Sequence, residues 1–237
     1  MNEGIIGNRI TSCQLDFDIM GKQIIGYLVQ SSLDDLMHLS EQELALWYRE
    51  KQHRAFGMDW LAGRLAAKLS IYQWMSLQGI YLPSLSIITI ENNKYGVPHI
   101  VNDPIQDRYS LSISHSWGRG IAFCTDVFMG IGCDLEVIKK RNDLRRFFLS
   151  STEQIRWNQH YLADQIELIQ TIAWAAKEAT IKCLYDAKVV SNINVTDVII
   201  YPTANNSSSF GFTYKHFSGE GTWVIQDSQV ITLVAIF

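Results

Sequence analysis

The chain has 237 residues, a formal net charge of −4 and an isoelectric point of about 5.8. With 47% hydrophobic and 19% charged residues, it can bury a full core as one large domain or two smaller ones, which excludes disorder as the default. The acidic balance argues against general affinity for nucleic acids, so any polyanionic ligand requires a local basic pocket.

The cysteines and the chain start bear on the cellular compartment. Four scattered cysteines show neither a CxxC pair nor metal-binding spacing, and we interpret them as reduced core thiols: Cys13, Cys124, Cys133 and Cys183. Residues 1–4 lack the basic start of a signal peptide, and no uninterrupted apolar run approaches about 18 residues. We therefore expect a cytoplasmic protein that does not interact with membranes.

Apolar periodicity predicts the elements in chain order. A hairpin is predicted over residues 14–30, and Ser40 with Glu43 has the spacing of a capping box that begins a helix. Long helices are predicted over 58–77 and 165–185, strands over 85–90, 109–114, 121–125, 195–201, 210–214, 222–226 and 230–237, and a turn over 218–221. Residues 65–68 and 174–177 are similar, which indicates two halves, 1–125 and 126–237.

An acidic motif, Gly-Cys-Asp-Leu-Glu, occupies residues 132–136 after a strand-like run. The side-chain period of a strand places Asp134 and Glu136 on one face. Two carboxylates about 6–7 Å apart at Cα repel each other unless a cation lies between them, and oxygen ligands suit Mg²⁺ bound with water and a substrate phosphate. These residues alone also fit a solvated strand face near a turn.

The helix over 165–185 carries a second set of polar residues. Trp174, Glu178 and Lys182 are four residues apart and share a face opposite an apolar stripe. Because that second face is also partly apolar, the two charges are expected to be half-buried, which is costly unless they are paired. An ordinary surface pair of Glu178 with Lys182 is the alternative.

Together these elements supply the parts of one site. Asp134, Glu136 and Glu178 provide three carboxylates for a divalent cation, while Lys177 and Lys182 provide positive charge for a phosphate bridged to it. Ser114 and His115, on a glycine-punctuated turn, add a hydroxyl, an imidazole and exposed backbone N–H groups, which can form an anion-binding nest.

Three ordered segments carry a resemblance to a known family. Residues 112–116 (SISHS), 132–136 (GCDLE) and 174–182 (WAAKEATIK) resemble the SxSHS, GxDxE and WxxKEAxxK patterns of 4′-phosphopantetheinyl transferases of the surfactin-synthetase-activating type. Residues 63–68 and 146–153 are similar to two further segments of that family, so the resemblance spans roughly residues 40–200.

The resemblance implies a fold and a reaction. The fold is α+β, a pseudo-twofold pair of similar α/β subdomains, each a mostly antiparallel sheet packed on a long helix, with the active site between the halves. In such enzymes a serine of an apo acyl or peptidyl carrier protein attacks the β-phosphate of coenzyme A, and 3′,5′-ADP leaves. Mg²⁺, or Mn²⁺, is the implied cofactor, and one chain suffices as a monomer.

The resemblance also assigns roles to residues. It implies Asp134, Glu136 and Glu178 as metal ligands, Lys182 and Lys177 near the reacting phosphate, and Ser114 and His115 at the 3′-phosphate of coenzyme A. The base is Glu178 or a metal-bound water, with Glu153 a weaker candidate. Further contacts to coenzyme A are assigned to Arg54, Arg64 and Lys94, and docking of an acidic carrier protein to Arg145, Arg146, Phe147 and Phe148.

The sequence departs from the family pattern at Val97. The family places a basic residue there that helps to bind coenzyme A, and Lys94 is the nearest substitute. A catalytically silent module that binds coenzyme A or a carrier protein is therefore the alternative function. A different Mg²⁺-dependent phosphate enzyme finds no support, because no P-loop or kinase motif is present. The carrier protein and its pathway stay open.

Overall fold

The protein is an α+β fold with antiparallel sheets and two long helices. The computed structural model describes residues 10–54, 56–101, 109–139, 148–160, 165–189, 192–203 and 208–237. The strands are β1 (Thr11–Ile19), β2 (Lys22–Gln30), β3 (Ile90–Asn92), β4 (Pro98–Ile100), β5 (Ser110–Ser116), β6 (Arg119–Thr125), β7 (Gly130–Val137), β8 (Ile199–Pro202), β9 (Ser209–Tyr214), β10 (Phe217–Gln226) and β11 (Gln229–Ile236). The α-helices are α1 (Glu41–Leu46), α2 (Gly57–Leu77), α3 (Ser151–His160) and α4 (Ile166–Asp186).

The main sheets are two antiparallel layers that pack face to face between the long helices. One sheet has the strand order β1-β2-β6-β5 and the other β7-β11-β10-β9-β8, and β3 pairs with β4 separately. Between the sheets lies a core that includes Phe17, Phe123, Leu135 and Leu233. Helix α2 covers the outer face of the first sheet and α4 that of the second. No helix in the described ranges is long and apolar enough to span a membrane.

Two buried ion pairs tie the long helices to nearby segments in the same way. Lys68 on α2 pairs with Glu43 at 2.7 Å, and Lys177 on α4 pairs with Glu153 at 2.9 Å. Each glutamate also accepts a hydrogen bond from the backbone of the serine three residues before it and from a strand N–H, that of Ile90 or Ile200. These bonds satisfy charges that would otherwise be costly to bury.

The same lysines explain two errors in the predicted strands. Residues 85–90 and 195–201 were expected to be extended, but both begin as short 3₁₀ helices, Leu85–Ile87 and Val195–Asp197, and only their ends are strands. Lys68 donates to the carbonyls of Leu85 and Ile88, and Lys177 donates to the carbonyls of Val195 and Val198. Gathering two carbonyls around one ammonium requires a turn, because an extended strand would point them apart.

The predicted turn over residues 218–221 is also wrong, since those residues lie inside β10. Gly219 pairs with Phe212 and Gly221 pairs with Phe210 on the neighbouring strand. The phenyl rings occupy the space that a side chain on either glycine would need. Glycine here makes room for a neighbouring ring and does not form a turn. The hairpin, the capping box at Ser40 and the two long helices are confirmed.

Candidate active site

The acidic motif lies on β7, at the edge of its sheet and beneath α4. Cys133 and Leu135 point into the core between the sheets, which confirms that Asp134 and Glu136 share the opposite face. Gly132 fixes how closely the helix approaches, because a Cβ there would collide with the main chain of Ala179 and Cys183 on α4. The motif glycine therefore brings the helix against the strand.

Asp134 is the centre of the hydrogen-bond network at this site. The residue is 6% exposed, and Oδ1 accepts hydrogen bonds from the Ser114 hydroxyl at 2.8 Å and from Lys182 Nζ at 2.7 Å. Lys182 also donates to the Cys133 carbonyl at 3.0 Å. Oδ2 is buried and has no hydrogen-bond partner among the described residues. A buried carboxylate oxygen without a partner is costly, and a ligand bound there would offset that cost.

The other two carboxylates are neighbours of this network. Glu136 Oε1 accepts a hydrogen bond from the indole Nε1 of Trp174 at 3.0 Å. Burial raises the pKa of Glu178, and the negative charges of Asp134 and Glu136 raise it further, while Lys182 lowers it. Such mutual effects require the three carboxylates to be neighbours, as the sequence predicted.

The donor set fits a hard divalent cation. All three side chains supply oxygen, and the buried Oδ2 of Asp134 is available. In the ranges that the structure describes, no three acidic, histidine or cysteine side chains are already gathered closely enough to hold a metal ion. Binding would therefore draw Glu136 and Glu178 toward Asp134, and the repulsion that raises the pKa of Glu178 would become attraction to the cation.

Lys182 supplies a permanent positive charge beside the carboxylates. Burial alone would lower its pKa, but the charges of Asp134 and Glu178 outweigh that effect and raise it. The ammonium therefore stays charged at neutral pH. With 32% of its side chain exposed, it can exchange part of its contact with Asp134 for a phosphate oxygen of a ligand.

A cleft of about 720 Å³ opens beside this network, with a basic and aromatic lining. Arg64, Arg49 and Lys51 provide its cationic side chains, His115 adds an imidazole, and Trp60 provides an aromatic wall. The Arg64 guanidinium lies 5.3 Å from the Trp60 ring centroid and donates to Asn92 at 3.4 Å. A cleft of this size suits a small anionic ligand, although the chain as a whole is acidic.

His115 is in this lining and more than a third exposed, yet its surroundings lower its pKa. Desolvation of the ring contributes most, and the positive charges of Lys182 and Arg64 add to it, while Asp59 opposes them. The imidazole is therefore mainly neutral near pH 7. A bound phosphate would favour its protonated form and gain a charged donor.

Residues 130–234 match the family model of the 4′-phosphopantetheinyl transferase superfamily. The matched segment contains Asp134, Glu136, Glu178 and Lys182, so the whole acidic group described above lies inside it. It covers less than half of the chain and does not include Arg64 or His115 in the cleft. The comparison with curated proteins finds no match.

Lys177 lies inside the matched segment, but its side chain faces away from the acidic group. Its ammonium is fully buried between Glu153 and the carbonyls of Val195 and Val198. Glu153, the weaker candidate base, is enclosed in the same pair and is 1% exposed. Ser114 also differs from its expected place, since its hydroxyl binds Asp134.

The remaining predicted residues divide between surface and core. Lys94 is exposed and stacks over the ring of Tyr95 at 4.9 Å, and Arg54 is exposed and is not part of the cleft lining in the described structure. Phe148 is buried in the core and meets the ring of Trp174 edge-on at 5.2 Å. The docking residues Arg145, Arg146 and Phe147 lie outside the described residues.

Sequence reasoning assigned no role to three residues of the cleft. Arg49 and Lys51 belong to a π-helical turn, Trp47–Lys51, that continues α1, and Trp60 lies in the first turn of α2. Two basic residues two apart would not share a face of an ordinary α-helix. A signal was nevertheless present in the clustering of basic and aromatic residues between two helices.

Proposed function

We propose that this protein is a 4′-phosphopantetheinyl transferase of the surfactin-synthetase-activating type. It moves the phosphopantetheine arm of coenzyme A to a serine of an apo carrier protein and releases 3′,5′-ADP. The observation that carries the proposal is the group formed by Asp134, Glu136, Glu178 and Lys182, inside the segment that matches the superfamily. In this proposal the chain consists of two pseudo-twofold halves, 1–125 and 126–237. The recurrence of the buried ion pair in each of them supports that arrangement.

In this proposal the cleft binds the nucleotide end of coenzyme A, and the acidic group with Lys182 binds its diphosphate. Arg64 and His115 bind phosphate at the nucleotide end, with Arg49 and Lys51 adding charge and Trp60 an aromatic surface. Lys182, which contacts Asp134 and whose charge acts on His115 in the cleft lining, holds the diphosphate. This placement of coenzyme A matches its negative phosphates to the basic side chains of the cleft, whereas the carboxylates lie apart on β7 and α4.

Asp134, Glu136 and Glu178 would hold one Mg²⁺ or Mn²⁺, which supplies neutralisation of the diphosphate charge when bound. Lys182 stabilises negative charge on the diphosphate as the bond to 3′,5′-ADP breaks. The carrier serine loses its proton when its oxygen bonds to the β-phosphorus. Glu178, which lies beside Asp134 and Lys182, is the proposed acceptor of that proton.

The proposed carrier protein docks at residues 142–150. Arg145 and Arg146 would pair with its acidic side chains and Phe147 would contact its apolar ones. Phe148, which is buried against Trp174, would anchor this segment to α4. One chain supplies both the cleft and the acidic group, which supports a monomer. The four free cysteines suit the reducing cytoplasm, although Cys13 is exposed and only the other three are core thiols as expected.

The test compares variants in a transfer assay with fluorophore-labelled coenzyme A and an apo carrier protein. We expect Asp134→Asn and Glu178→Gln to lower the rate by at least about 100-fold, because each removes a carboxylate that would hold the cation that neutralises the diphosphate. Glu220→Gln, an exposed substitution of the same chemistry on β10, is the control and should keep wild-type activity. Full activity of Asp134→Asn would show that the acidic group is not the active site. Binding of coenzyme A without transfer in wild type would favour a silent binding module.

A further inference from the structure

The two sheets adjoin at β5 and β7, and serine hydroxyls on β5 join them. The Ser112 hydroxyl accepts a hydrogen bond from the Cys133 N–H at 2.9 Å, and the Ser114 hydroxyl accepts one from the Leu135 N–H at 3.3 Å. Ser110 donates to the Phe128 carbonyl at 3.3 Å. These side chains satisfy main-chain groups at sheet edges that would otherwise lack partners.

Ser114 makes one bond that Ser112 does not make among the described residues. Its hydroxyl proton is donated to Oδ1 of Asp134 at 2.8 Å, while its oxygen accepts from Leu135. Both side chains are nearly buried, with Ser114 8% and Asp134 6% exposed. The hydrogen bond from Leu135 on β7 thus fixes the Ser114 hydroxyl, and the hydroxyl in turn fixes the Asp134 carboxylate.

The two oxygens of Asp134 therefore have different surroundings. Ser114 and Lys182 both bind Oδ1, whereas Oδ2 is buried without a partner among the described residues. Lys182 has a long, flexible side chain that can move with a rotating carboxylate. Ser114 has a short side chain with one heavy-atom torsion, and its backbone is held in β5. Of the two partners, Ser114 is the one that restricts the carboxylate to a single orientation.

We propose that Ser114 is a positioning residue that orients Asp134 so that Oδ2 is available to the divalent cation. This inference rests on the proposed function. It assigns to Ser114 a role on the carboxylate instead of the contact to the 3′-phosphate of coenzyme A that the resemblance implied. Partners that orient a metal ligand typically contribute 10–100-fold to metal affinity.

The experiment measures binding of Mn²⁺ to protein saturated with coenzyme A in the absence of carrier protein, so that no transfer occurs. Isothermal titration gives the dissociation constant of Mn²⁺, and a separate titration without metal gives that of coenzyme A. We expect Ser114→Ala to weaken Mn²⁺ binding by about tenfold or more and to leave metal-free coenzyme A binding within about twofold. Ser114→Thr, which retains the hydroxyl, should restore most of the Mn²⁺ affinity.

Ser112→Ala is the matched control, because it removes an equivalent bond between β5 and β7 without touching Asp134. It should leave Mn²⁺ affinity within about twofold of wild type. Equal losses in the two alanine variants, or unchanged Mn²⁺ affinity in Ser114→Ala, would overturn the inference. So would a loss confined to metal-free coenzyme A binding. If wild-type protein itself bound no Mn²⁺, the proposed metal site would fail and this inference with it.

Discussion

The buried pair of Lys177 with Glu153 provides a sharp test of which lysine on α4 serves the fold. Lys177→Met would leave the Glu153 carboxylate, which is 1% exposed, without its counter-ion. It would also remove the donor that two carbonyls of the 3₁₀ turn now share. Removing one member of a buried ion pair costs about 3–5 kcal/mol. In a chain of this size each kcal/mol lowers Tm by about 2–4 °C, so we expect a decrease of about 6–20 °C.

The assay is thermal unfolding followed by circular dichroism, with urea unfolding as a second measure. Lys182→Met is the control on the same helix, since Lys182 is 32% exposed and water can replace part of its contact with Asp134. We expect it to lower Tm by less than half as much while strongly reducing transfer. Lys68→Met should behave like Lys177→Met, because its pair with Glu43 is equally buried. A Lys177→Met protein with the Tm of wild type and no transfer would refute this reasoning and place Lys177 in the active site.

Four further outcomes are expected. Gly132→Ala should lower the urea midpoint severely, because its Cβ would displace the helix that carries the acidic group; an unchanged midpoint would contradict the close approach. Arg64→Met should weaken coenzyme A binding at least about tenfold in a metal-free titration, and normal affinity would exclude the cleft as the nucleotide site. Burial raises the pKa of Asp186 to about 6, so between pH 4 and 6 the folded protein keeps a proton that the unfolded chain has lost. The free energy of unfolding should therefore decrease as the pH rises from about 4 to 6. Asp186→Asn should flatten that pH dependence in urea titrations, and an unaltered slope would count against it. Arg145→Glu with Arg146→Glu should raise KM for the carrier protein about tenfold at low salt with coenzyme A affinity preserved, and an unchanged KM would exclude that docking site.

The elements that depend on local signals could be predicted from the sequence. The turn between β1 and β2, the capping box at Ser40 and the long apolar stripes of α2 and α4 all follow from residues close in the chain. The alternation along β7 likewise placed Asp134 and Glu136 on one face, and the spacing along α4 placed Glu178 and Lys182 on one face of that helix.

Features that depend on distant partners could not be predicted. Lys177 and Glu178 are consecutive and so lie about 100° apart around a helix, which means that both cannot face one site. The sequence did not show which one does, because Glu153, the partner that holds Lys177, lies on another helix. The 3₁₀ turns at Leu85 and Val195 depend on lysines of distant helices for the same reason.

The role of Ser114 was hidden for a related reason. A strand pattern shows which face a hydroxyl occupies, but not that β5 lies beside β7 from the other sheet. Only that neighbourhood brings the Ser114 hydroxyl to Asp134. The resemblance to a family supplied a ligand contact in its place, and the structure offers a different one.

The central claim is transfer of phosphopantetheine, and intact mass spectrometry of an apo carrier protein tests it most directly. The carrier protein is incubated with this protein, coenzyme A and Mg²⁺, and a parallel sample contains EDTA. We expect a gain of one phosphopantetheine that is lost with EDTA. An unchanged mass for fatty-acid, polyketide and nonribosomal-peptide carrier proteins alike, while coenzyme A still binds, would contradict it.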